Sequence, residues 1–179
     1  MKKILAFIAV AAMAASVQSA TVGWTVSGGS TVANSAYQFF VIGQNNVESV
    51  SAIQSMLAAG DDISDYVYGS GALNGSGAVT VKASESNKSL AAGTYETFVV
   101  IYDSASPSSG SSKYKIVSGQ SNQTKTISST AASVTFATGN AASVVTGQSW
   151  QNYGPVPEPT TVALLALGLA AIGLKRKVA

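Results

Sequence analysis

A chain of 179 residues has room for one domain and its targeting segments. Only 10% of its residues are charged, against roughly 25% in an average soluble domain, and Ser, Thr, Gly, Ala and Asn fill the difference, a bias common in secreted β-rich surface proteins. With no Cys and no His, the sequence excludes a disulfide framework, a thiolate metal site, a Cys nucleophile and a Ser-His-Asp triad, and it lacks the usual base near neutral pH. The formal charge of +2 belongs to the ends. Without Lys2, Lys3, Lys175, Arg176, Lys177 and Glu158, five lysines face seven acids, a net of −2, so no basic surface for nucleic acid is expected.

In chain order, "MKKILAFIAVAAMAASVQSA" reads as a secretory signal peptide over residues 1–20. Lys2 and Lys3 form its basic start, and Ile4 to Ala15 form an apolar stretch too short for a membrane span. Ser16, Ser19 and Ala20 supply the small residues of a cleavage region. Signal peptidase is expected to cut after Ser19 or Ala20, so that the mature chain begins at Ala20 or Thr21.

The body, residues 21–153, is dominated by strand signals. "TVGWTVS" alternates Val22, Trp24 and Val26 with smaller residues, while "AYQFFVIG" and "TYETFVVIYD" are rich in aromatic and β-branched residues. The runs "FFVI" and "FVVI" are continuously apolar, which predicts strands covered on both faces. "DYVYGSG", "GAVTVKAS", "SKYKIVSG", "TKTIS", "SVTFATG" and "SVVTG" read as further strands, separated by turn-forming stretches such as "NGSG" and "SASPSSGSS". One segment has helical spacing: Val47, Val50, Ile53 or Gln54, and Leu57 predict a single helix over 47–59, capped by Asn46, with Glu48 in its first turn and Gly60 as its stop. The expected fold is therefore mainly β, an antiparallel sandwich of seven to nine strands with one inserted short helix lying over an end or face of a sheet. Tyr37, Phe40 and Val41 match Tyr95, Phe98 and Val99 in spacing, which reads as two core strands under the same packing demand.

The segment from residue 154 onward is different. Pro155, Pro157 and Pro159 favour an extended chain. Thr160 to Leu174 is an uncharged run of 15 residues, about 22 Å as a helix and short of the ~30 Å hydrocarbon core. Lys175, Arg176 and Lys177 then provide a basic stop-transfer tail that stays cytoplasmic and stretches the span by snorkelling. In order and content, Pro157-Glu158-Pro159, the apolar helix 160–174 and the basic tail 175–177 resemble a PEP-CTERM sorting signal. That resemblance covers about 24 residues. It implies recognition by an exosortase, a membrane-embedded cysteine transpeptidase-like enzyme, transient anchoring in the membrane through the C-terminal helix, and removal of the tail. It also implies a bacterial cell-surface or extracellular-matrix location, often alongside exopolysaccharide. The mature protein is expected to lack Ala163 to Ala179.

Few residues of the body suggest chemistry. Asp61, Asp62 and Asp65 could together offer oxygens to Ca²⁺, but their spacing is not that of an EF-hand loop, and turn or cap roles suit them better. Trp24, Trp150, Tyr66 and Tyr68 are the candidates for a sugar-stacking surface, with Tyr66 and Tyr68 spaced to share one face of a strand. Glu48, Glu85, Glu96 and Asp103 are the remaining body acids from which a glycosidase pair would have to come. "SNK" and "SSK" have the wrong spacing for a Ser-Lys pair. The expectation is a non-catalytic exported surface or matrix protein without a cofactor, partnered by exosortase and signal peptidase during export and by exopolysaccharide afterwards. A carbohydrate-binding module is the alternative, and a secreted hydrolase ranks third.

Overall fold

A computed structural model describes residues 18–137 and 142–155. The first strand, β1 (Ala20–Ser27), turns its alternate residues Ala20, Val22, Trp24 and Val26 inward. At Trp24 and Thr25 it pairs with β4 (Ala78–Val81) and β9 (Ser133–Ala137) at once, and at Thr21 with β5 (Ser89–Leu90) and β9. β4 and β5 therefore share one side of β1. Between them α2 (Ala83–Ser86) covers Val22 and Gly23, held by the Val22 N–H on the Lys88 carbonyl and the Ser86 hydroxyl on the Val22 carbonyl.

The larger sheet runs in the order β10 (Gln151–Asn152), β7 (Lys113–Val117), β6 (Gly93–Tyr102), β2 (Ala36–Val41), β3 (Gly69–Ala72), with β8 (Thr124–Ile127) beside the first half of β6. Every pairing is antiparallel except β1 with β9, which is parallel, so the smaller sheet is mixed. The large sheet is covered on both faces, as its continuous apolar runs predict. Phe39, Val41, Val99, Ile101 and Val117 face the small sheet. Phe40, Phe98, Val100, Tyr102 and Tyr114 face α1 (Val50–Ala59), whose Ile53 and Leu57 complete a second core. The architecture is thus sheet on sheet with a helix on the outer face. The two similar strands are neighbours: Phe40 lies opposite Phe98, their rings stacked at 4.8 Å. Buried Gln123 is fully satisfied, accepting from Gln120 N–H and donating to the Val117 carbonyl, while its own carbonyl takes the Thr97 hydroxyl.

Several local expectations are corrected. Helix α1 starts at Val50, later than 47, and its N-cap is Ser49, whose hydroxyl accepts the Ala52 N–H at 3.2 Å. Asn46 lies in the left-handed region at φ 61°, in a turn closed by the Gly43 N–H on the Val47 carbonyl, so that Val47 drops into the core and Glu48 precedes the cap. Gly60 ends the helix as expected: at φ 82° its N–H bonds Leu57 and that of Asp61 bonds Met56, a Schellman stop. "DYVYGSG" is extended only from Gly69, after a 3₁₀ turn at Ser64–Tyr66. "SVVTG" is helical, within α3 (Ala142–Gly147), and α2 takes the end of "GAVTVKAS". The described residues therefore hold three short α-helices, where one was expected, and ten strands, two of only two residues.

Candidate functional site

The β3 edge of the large sheet borders a groove, with a cavity volume of about 510 Å³, between β3 and the β4–α2–β5 side of the small sheet. The sequence of β3, Gly-Ser-Gly-Ala, matters here. The Trp24 ring lies on the bare backbone of Gly69, where a Cβ would come within 2.5 Å of Cζ2 and Cη2. Trp24 also stacks on Phe39 at 4.9 Å, and its Nε1–H donates to Tyr37 Oη at 3.0 Å. Tyr68 meets Phe39 edge-on and donates its hydroxyl to the Ser89 carbonyl, with Lys88 Nζ 5.6 Å from its ring centre.

Burial raises the pKa of Tyr37, against the smaller opposing effect of the Trp24 hydrogen bond. Burial, with Tyr95 adding to it, raises that of Tyr68 to about 12. Both hydroxyls are therefore neutral near pH 7 and serve as hydrogen-bonding groups. Glu85 is the one acid among the groove's lining residues, and it is engaged locally: it accepts the Lys82 N–H and pairs with Lys82 Nζ at 3.6 Å.

The four aromatic candidates do not form one surface. Trp24 (4% exposed) and Tyr68 (6% exposed) both line the groove, but their faces are spent on the core. Tyr66, at the end of the 3₁₀ turn, packs against the α1 side, so it does not share a strand face with Tyr68. Trp150 lies on the opposite flank beneath Lys115 Nζ, 4.6 Å from its ring centre. Asp62 makes a turn by accepting the Ser64 N–H, a bond that lowers its pKa. Among the described residues no three His, Cys, Asp or Glu side chains converge as a metal group, so Asp61, Asp62 and Asp65 are not gathered into one.

The opposite edge carries an arrangement that the sequence did not reveal. Residues 151–155 form a strap across the end of the body. Gln151 and Asn152 pair with Tyr114 and Lys113 as β10. The Tyr153 N–H donates to the Ser112 carbonyl at 2.9 Å and its carbonyl accepts the Gly110 N–H at 2.6 Å. The Gly154 N–H donates to the Leu57 carbonyl, at the C-terminal end of α1, at 2.8 Å. The Tyr153 ring leans on Tyr102 at 5.8 Å, and Gln54 Nε2 donates to Gln151 Oε1. Upstream, buried Lys115 donates to the Val145 carbonyl of α3 at 2.9 Å. Its burial lowers its pKa.

The strap leads straight into the segment singled out at the C-terminus. A family model, the PEP-CTERM protein-sorting motif, matches residues 155–177. The chain carries a PEP-CTERM sorting motif. This makes it an exported protein sorted through an exosortase, to the surface or the outside of the cell. Comparisons with curated proteins and with solved structures find no match. Pro157, Glu158, Pro159, the helix expected at 160–174 and the tail Lys175, Arg176 and Lys177 lie outside the described residues, as does the expected signal peptide up to residue 17. Among the described residues no helix is long and apolar enough to cross a membrane.

Proposed function

We propose that the body acts outside the cell as a non-catalytic surface or matrix protein associated with exopolysaccharide, after removal of its tail by the processing enzyme. The sorting motif over residues 155–177 carries this reading. The chemistry of the body supports it: there is no His or Cys, and the β3 groove brings one carboxylate where a glycosidase needs two. Intact-mass measurement of the exported protein tests the delivery half. A mature form lacking Ala163 to Ala179 is expected, and a full C-terminus would defeat it. Co-fractionation of the mature protein with the cell's polysaccharide tests the other half, and free release into the medium would count against it.

The carbohydrate-binding alternative rests on the groove at the β3 edge. Because Trp24 and Tyr68 give their faces to the core, a sugar there would be held by Gln38, Ser70, Glu85 and Lys88. Binding of the mature body on a glycan array, lost in Lys88→Ala or Gln38→Ala, would favour this reading over the first.

A further inference from the structure

We propose that the strap 151–155 is a latch that must lift before the sorting motif can be processed. This inference rests on the reading that the motif is processed, and it concerns how access to it is controlled.

The seat is built for this segment. Gly154 is buried and sits at φ 82°, a conformation strained for any residue with a side chain. A Cβ at Gly154 would run into Ser109 Oγ and come within 3.0 Å of the Gly110 nitrogen. A Cβ at Gly60, the stop of α1, would approach Gly154 Cα at 3.1 Å and Pro155 Cδ at 3.3 Å. Helix end, Ser-rich loop and strap therefore meet backbone to backbone. The last seated residue, Gly154, directly precedes Pro155, the first residue of the motif match.

Reach is the difficulty for an enzyme. From Pro155 to Glu158 the chain covers three residues, at most about 11 Å when extended. One helix with its side chains is already about 10–12 Å across. While Gly154 remains on Leu57, Pro157-Glu158-Pro159 can stand off from the body by little more than the width of one helix, which crowds the approach of a membrane-embedded enzyme. Lifting residues 151–155 frees five more residues of extended chain. The bonds to be broken are few and local, at the edge of the sheet, where opening does not require global unfolding.

The test compares processing rates of the full chain in a host carrying the cognate exosortase, by pulse-chase of precursor and mature forms. Gly154→Val should be processed about tenfold faster, the factor that a loss of ~1.4 kcal/mol of seat stability gives. A flexible Gly-Ser insertion of about six residues between Pro155 and Val156, adding up to roughly 20 Å of reach, should be faster as well. Combining the two should be no faster than the insertion alone, since reach makes lifting unnecessary. A rate equal to or below that of the wild type in the insertion variant, or in a folded Gly154→Val, overturns the latch. The insertion leaves the Gly154 seat untouched, so it decides the matter even if Gly154→Val fails to fold. Replacing Pro157, Glu158 and Pro159 by Ala should abolish processing. Normal processing of that variant would overturn the sorting reading itself, an outcome distinct from failure of the latch alone.

Discussion

The two edges of the large sheet solve the same problem in opposite ways. At one edge, β3 is short and made of Gly, Ser and Ala, and aromatic rings from other strands pack on its glycines: Trp24 on Gly69 and Tyr37 beside Gly71. At the other, β10 is two residues of the chain on its way to the sorting motif, held by hydrogen bonds with little apolar burial. Short strands at both edges limit unwanted pairing. The β3 edge is welded to the core and the β10 edge is merely fastened. Stability should therefore be concentrated at the first and opening at the second.

Trp24→Ala should break the comparison most forcefully. It removes the stack on Phe39, the cover of Gly69 and the bond to Tyr37, and should cost about 3–5 kcal/mol in urea denaturation. A loss under about 1 kcal/mol would mean that the β3 edge is no more firmly held than the strap. On the strap side, Lys115→Ala should cost about 1–3 kcal/mol, because the Val145 carbonyl loses its donor and Trp150 loses the cation over its ring.

That substitution also has a pH signature. Burial holds the Lys115 pKa below its ordinary 10.5, so between those two values the unfolded chain binds more protons than the folded one. The contribution of Lys115 to stability therefore rises with pH through that window, and the Ala variant should lose this rise in denaturation series at stepped pH. The tyrosines act in the other direction. Burial raises the pKa values of Tyr37, Tyr68, Tyr102 and Tyr114, and the stability they contribute is fully present below about 10 and lost as pH climbs through their folded values, about 12 for Tyr68. Tyr68→Phe should cost about 1 kcal/mol at neutral pH through the lost bond to Ser89, and should flatten the fall above pH 10. The smallest effect belongs to the exposed Lys82–Glu85 pair on the groove's rim: Glu85→Ala should change stability by less than about 0.5 kcal/mol, and a larger loss would point to a role for Glu85 in holding the groove.

Much of the strand content could be read from the sequence. Alternation in "TVGWTVS" marks β1 correctly, and the unbroken runs "FFVI" and "FVVI" correctly announce strands buried on both faces. Misreadings cluster where local pattern is ambiguous. "SVVTG" has strand composition but becomes the short helix α3, whose buried Val145 offers its carbonyl to Lys115, a tertiary contact that propensity cannot anticipate. Asn46 looks like a cap because Asn suits both caps and left-handed turns, and the need to seat Val47 decided for the turn. Tyr66 and Tyr68 part company because a 3₁₀ turn lies where alternation suggested a strand.

By itself the sequence determined the destination of this protein and the material of its body. Sorting information is carried by a short contiguous stretch, Pro-Glu-Pro with its apolar run and cations, that an enzyme reads locally and that needs no fold to be legible. Only the tertiary structure decided which aromatics are spent on the core, and that the chain is fastened down to Gly154, the residue just before the motif begins. Those facts depend on Trp24 meeting Gly69 and Gly154 meeting Leu57, pairs separated by 45 and 97 positions and joined only once the two sheets and the helix have packed.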